Sequence, residues 1–142
     1  MYIDKLKALA TTNGISKYIS WIGFQGANKF DLLQQYDLMI LPSHDENFGN
    51  VVIESLSVGT PVLISQEVGL AGYVEENQLG WICHPNPSSI AWEINNIFIN
   101  RQNEMKAIRK NAAEIIYRDF NDDNLVRQYI EMYQQLTTHG GL

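Results

Sequence analysis

The chain has 142 residues, 45% of them hydrophobic and 18% charged, with a formal net charge of -6. That is the size of one domain, with enough apolar residues for one core, which excludes a disordered chain. The acidic balance excludes the basic stripe of a nucleic-acid binder, so no nucleic-acid partner is expected.

The elements alternate along the chain. Residues 2–13 read as a helix closed by Gly14, with one apolar face (Ile3, Leu6, Leu9, Ala10) expected to pack against a sheet. The opening residues lack the apolar core of a signal peptide. Tyr18 to Phe24 are rich in branched and aromatic residues and predict a strand. A short helix follows near 28–35. Asp37–Leu41, stopped by Pro42, predicts a parallel strand buried on both faces. A helix is expected from Phe48 to Val58, ended by Gly59, and a buried strand at Pro61–Ser65. A short helix at 70–76 and a strand at Gly80–Cys83 complete the alternation.

Residues 87–137 read as helical, with breaks near 100–103 and 121–123. Trp92, Ile94, Ile97 and Phe98 form one helix face expected in the core, and Tyr129 and Tyr133 are expected to pack the last helix. Lys106, Arg109 and Lys110 read as a solvated face. Cys83 is the only cysteine; its apolar run makes it a buried thiol, and the chain reads as cytoplasmic. No apolar run approaches the ~20 residues that span a bilayer. The expected organisation is therefore a single α/β domain over 1–138, a doubly wound parallel sheet with right-handed crossovers and C-terminal helices, and a frayed tail at 139–142.

One stretch carries chemistry, from Leu41 to Val62. It reads as strand, loop, helix, tight turn, strand. The loop leaves the carboxyl end of the strand, where open α/β sheets bind ligands. Gly49 lets the backbone approach a ligand at the helix start, where free N–H groups suit a phosphate. Glu46 precedes the helix and Glu54 lies on it, to the side of the face formed by Val51, Val52, Leu56 and Gly59. Carboxylates accept hydrogen bonds from the hydroxyls of a sugar or ribose. The eight-residue spacing of Glu46 and Glu54 carries little weight alone in a chain with 16 acidic residues. His44 sits beside this stretch and reads as a loop histidine next to a pocket, with contact to a donor or acceptor as the second reading. His84 and His139 lack partners at metal-ligand spacing, so no metal site is expected.

The full string resembles the "group 1" family of retaining glycosyltransferases: Pro42-Ser43, Glu46, Phe48-Gly49, Glu54 and Gly59-Thr60-Pro61-Val62, continuing through Ser65, Gly69, Gly80-Trp81-Ile82 and Pro85 to Ile90. The resemblance covers roughly residues 4–136. It implies the C-terminal, donor-binding half of a two-domain GT-B fold with a Rossmann-like sheet. Glu46 is the implied contact of the transferred sugar and is counted as the catalytic position. Glu54 is the implied ribose ligand. Asn47, Phe48, Gly49, Asn50, Gly69 and Leu70 are implied around the donor and its diphosphate.

The implied reaction transfers a hexose from a nucleotide sugar, with retention and without a metal or other cofactor. The acceptor is a glycan or a lipid-linked glycan held by an N-terminal domain that this chain lacks, and the protein is placed in the cytoplasm or at the cytoplasmic membrane face. Val68 and Gly72 stand where the family usually has glycine and glutamate. The family's strands that carry an Arg and a Lys for the diphosphate also precede the segment present here. Their absence leaves a sheet edge open, so either strand Tyr18–Phe24 moves or a second copy covers the edge. The alternative reading is an inactive fragment that only binds nucleotide or sugar, or that self-associates.

Overall fold

The computed structural model of the chain describes residues 2–139. Residues 140–142 of the expected frayed tail lie outside it, and His139 is the last residue of a helix. The elements are α1 (Tyr2–Thr12), a single 3₁₀ turn (Ser16–Tyr18), α2 (Lys29–Gln34), β1 (Met39–Leu41), α3 (Asn50–Ser57), β2 (Val62–Ser65), α4 (Ala71–Glu76) and β3 (Gly80–Cys83). Three helices close the chain: α5 (Pro87–Asn100), α6 (Gln102–Phe120) and α7 (Asp122–His139).

The sheet has the order β1-β2-β3 and both pairings are parallel. Two strand–helix–strand units therefore step in one direction across the sheet, and right-handed crossovers put α3 and α4 on the same face. These strands form one flank of a doubly wound layer, with β1 at its open side.

The core explains why these segments fold. All four residues of β2 are buried, as a central parallel strand requires. Val52 and Leu56 of α3, Val74 of α4, Ile97 of α5 and Ile108, Ala112 and Ile116 of α6 join Val62, Leu63 and Ile64 in one cluster. Each large aliphatic side chain buried there contributes about 1.5–3 kcal/mol. α5 starts with Asn86 as its cap, accepting from the Ser89 amide at 2.9 Å, and with Pro87 in its first turn.

Where α3 ends, Gly59 has φ +81°, and a Cβ there would lie 2.7 Å from the Arg109 carbonyl oxygen of α6. The bare glycine is what lets α6 lie against the end of α3. Thr60 locks the same turn: its hydroxyl donates to the Leu33 carbonyl at 2.8 Å, and its own carbonyl accepts from Ser55 Oγ at 3.0 Å.

Several expectations fail at the N-terminal side. Tyr18–Phe24 is not a strand; the turn at Ser16–Tyr18 leads into irregular backbone. Gly23 takes φ +64° and Gln25 Nε2 donates back to the Ile22 carbonyl, so the segment turns instead of extending. A strand also needs a neighbour for its ladder, and this segment pairs with none of the three described strands. The moved-strand explanation of the open edge is thereby removed.

The apolar face of α1 does not pack on the sheet, since Ile3 and Leu9 are exposed and only Ala10 is buried. β1 is not buried on both faces: Met39 and Leu41 lean on the core, but Ile40 is 39% exposed because that face of the edge strand is uncovered. Trp92 and Phe98 lie on the outer side of α5, so only Ile94 and Ile97 of that expected face reach the core. Tyr129 and Tyr133 are exposed as well. Arg109, expected to be solvated, ties α6 to the start of β1 by donating to the Tyr36 carbonyl at 2.6 Å and to Asp37 Oδ1 at 2.9 Å.

The two glycines Gly59 and Gly72 give opposite tests. Gly59→Ala meets backbone in a left-handed conformation and should lose about 1–3 kcal/mol in chemical denaturation. Gly72 lies in α4, and a Cβ added there would have nothing within 4 Å. Gly72→Ala should therefore be neutral or gain up to about 1 kcal/mol in the same experiment.

Candidate functional site

The motif stretch forms the loop between β1 and α3, at the carboxyl end of the sheet. It is tied to the loop that leaves β2. The Glu46 amide donates to the Glu67 carbonyl at 3.2 Å, and the Gly69 amide donates to the Glu46 carbonyl at 2.8 Å, so that Glu46 and Val68 form a parallel bridge beyond the ends of the strands. Ser65 Oγ also donates to the Ser43 carbonyl. Gly69 is required at this seam: a Cβ would fall 1.9 Å from the Asn47 carbonyl oxygen. The Ser65 to Gly69 segment therefore buttresses the motif loop along its length.

Gly49 caps α3 from a left-handed conformation, φ +88°, and no side chain caps the helix there. A Cβ at Gly49 would meet Val68 Cγ1 at 3.0 Å and Val52 Cγ2 at 3.3 Å, so Val68, though not the glycine usual in the family, fills the space beneath the loop. The Val52 amide bonds the Gly49 carbonyl at 2.8 Å. Asn47, Phe48 and Asn50 are exposed around this helix start, and Glu46 is half-buried beside it. Leu70 is buried in the core, so its side chain is not open to a ligand. His44 is exposed in the same loop.

Glu54 lies one to two turns along α3 and is half-buried. Its Oε1 accepts from Lys29 Nζ of α2 at 2.5 Å. Lys29 carries no signal of its own in the sequence, because the pairing spans 25 positions and two helices.

The other unforeseen group supports Phe48. Phe120 at the end of α6 packs edge-on against Phe48, with ring centroids 6.3 Å apart, and against Tyr73 of α4 at 5.1 Å. Tyr73 Oη donates to Asp119 Oδ2 at 2.8 Å, and Arg118 grips both oxygens of Asp119 at 2.6 and 2.8 Å. Burial, followed by the Asp119 contact, pushes the Tyr73 hydroxyl well above its ordinary value. The Arg118 hydrogen bonds, with help from Tyr73, hold the Asp119 carboxyl below its ordinary 3.8. Cys83 is buried, and that burial raises its thiol.

A hollow of about 520 Å³ lies elsewhere: it opens beside β3, between α5 and α6, and its lining includes Trp81, Glu93, Arg101 and Glu104. No group of three or more His, Cys, Asp or Glu side chains among the described residues is arranged to hold a metal ion, and no helix among them is long and apolar enough to cross a membrane.

A parallel α/β layer with two stitched loops and a glycine-started helix at its carboxyl edge defines a Rossmann-like domain, and that edge is where open α/β sheets bind ligands. The family model described as glycosyl transferases group 1 matches residues 2–115, and the chain belongs to that family. It is 29% identical over 133 residues to an uncharacterised glycosyltransferase of Methanocaldococcus jannaschii, covering 92% of this chain and 34% of the relative. It is 26% identical over 135 residues to a D-inositol 3-phosphate glycosyltransferase of Corynebacterium urealyticum, covering 94% and 31%. Among solved structures, HepE of Anabaena in complex with UDP superposes with a TM-score of 0.82 at 27% identity, over 95% of this chain and 37% of that one. The same protein in complex with UDP-glucose gives 0.80 at 26%, again over 95% and 37%. The chain thus spans about a third of the relatives it matches. The fold is that of the GT-B glycosyltransferases.

The Asp119 cluster gives a pH test. Because the folded carboxyl sits below its unfolded value, its stabilisation is complete above about pH 4 and is lost as the pH falls through the folded value. Thermal midpoints of wild type and Asp119→Asn should differ near neutral pH and converge under strong acid. A gap that stays constant would contradict the assignment.

Proposed function

We propose that this chain is the donor-binding part of a retaining glycosyltransferase that moves a hexose from a nucleotide sugar to a glycan or lipid-linked acceptor. The observation that carries the reading is the seam of Glu46, Gly69 and Asn47, which fixes the motif loop and the start of α3 at the carboxyl edge of the sheet. The solved complexes of HepE with UDP and UDP-glucose support a nucleotide-sugar ligand.

In this reading Glu46 accepts hydrogen bonds from hydroxyls of the transferred sugar, and Glu54 from the ribose. Asn47, Phe48, Gly49 and Asn50 offer main-chain groups to the donor, while Gly69 and Leu70 approach the diphosphate. The transition state is oxocarbenium-like. N–H dipoles and cations stabilise the departing diphosphate without a metal, so EDTA should leave donor binding unchanged. Acceptor binding and turnover belong to the larger protein of the relatives' length, working in the cytoplasm or at its membrane face.

Ligand-observed NMR with UDP-, GDP- and ADP-sugars tests this reading. One donor should bind, and Glu54→Gln should weaken it roughly tenfold or more, the worth of one charge-assisted hydrogen bond. Absence of binding by every donor, or a Glu54→Gln variant that binds like wild type, would overturn it.

The open β1 edge supports a second reading, in which the chain pairs with its own copy. Ile40 is exposed at that edge, and Trp21, Ile22 and Phe24 are exposed in the segment before α2. Sedimentation should then show a concentration-dependent dimer that Ile40→Lys dissociates, whereas a strict monomer would exclude it.

A further inference from the structure

Lys29 stands at an unexpected place. It is the first residue of α2, where the helix dipole disfavours a cation. It is nonetheless held there, with its ammonium 2.5 Å from Glu54 Oε1 and 5.3 Å from the centre of the Phe30 ring. The pair is substantially screened from solvent, with Lys29 34% and Glu54 24% exposed. The other end of α2 is fixed as well, through the Leu33 carbonyl and Thr60. α2 is therefore a brace along α3, attached at the turn after α3 and at Glu54.

We infer that Lys29 is a positioning residue for nucleotide recognition: by holding Oε1 of Glu54, it orients the carboxylate so that the second oxygen meets the ribose hydroxyls. This rests on the donor-binding reading above and adds to it the residue that sets ribose selectivity. An ammonium has three donors and no acceptor, so it fixes one carboxylate oxygen without competing for the hydroxyl protons that the other accepts. A glutamate without such a partner keeps its rotamer freedom and must lose it on binding. Hydrogen bonds to a carboxylate acceptor are the stronger and more selective kind. Lys29 needs no contact with the nucleotide for this role.

The test is a ratio. Dissociation constants of UDP, GDP and ADP, and of their 2′-deoxy and 3′-deoxy forms, are measured by calorimetry on the full chain and on Lys29→Met, Lys29→Arg and Glu54→Gln. Thermal melts establish that each variant is folded; if Lys29→Met melts early, Lys29→Gln replaces it. Wild type should prefer one ribonucleotide over its deoxy form by roughly tenfold or more. Lys29→Met should bring that preference near unity, as Glu54→Gln does, and Lys29→Arg should retain most of it. A loss of general stability would weaken ribo and deoxy forms alike and leave the ratio unmoved. If Glu54→Gln loses the preference and Lys29→Met keeps it, the inference is wrong and the donor reading stands. If wild type binds no nucleotide, or binds without preference for ribose, the assignment of Glu54 fails and that of Lys29 with it.

Discussion

Two main-chain hydrogen bonds across the ends of β1 and β2 hold the candidate site together. Glu46 donates to Glu67 and accepts from Gly69, which extends the parallel pairing beyond the regular strands. A loop of this length, built from Ser43, His44, Asp45, Glu46 and Asn47, has little apolar surface of its own to bury. Its conformation comes from the neighbouring loop, and the approach is close enough that only a glycine fits at position 69. Once that seam is closed, Glu46 is placed beside the start of α3, and Gly49 can turn the chain into the helix from a left-handed conformation.

The rest of the structure divides into a part that supports the seam and a part that does not. β2, α3, α4 and α6 share one buried cluster, and Phe120, Tyr73 and Asp119 carry that support outward to Phe48. The residues before α2 contribute little: Phe24 is 96% exposed and the outer face of α1 is bare. Their attachment is local, so opening of this region should cost far less than opening of the core. α2 lies between the two regimes, joined to α3 by Lys29 and to the turn after α3 by Thr60, whose hydroxyl donates to the Leu33 carbonyl.

What could be read in the sequence follows the range of the interactions. α3, β2, β3 and the three closing helices were legible because period and glycines are local signals, such as Gly59 at the end of α3. Glu46, Gly49 and Glu54 stood out by resemblance in the motif. Tyr18–Phe24 misled because β propensity describes a residue on a partnered sheet, and this segment has no partner strand among the described residues. The aromatic faces of α5 and α7 misled similarly, since period alone does not say which faces find a neighbour. Lys29, Tyr73, Asp119 and Phe120 were invisible because each acts on a residue at least 25 positions away.

The proposed ligand site is the pair of stitched loops with the start of α3, and not the hollow beside β3. Amide chemical-shift mapping of the isotope-labelled chain with nucleotide sugars tests this most directly. The account predicts shifts concentrated at Glu46 to Asn50, Glu54 and Val68 to Leu70. Shifts concentrated instead at Trp81, Glu93, Arg101 and Glu104 would contradict it.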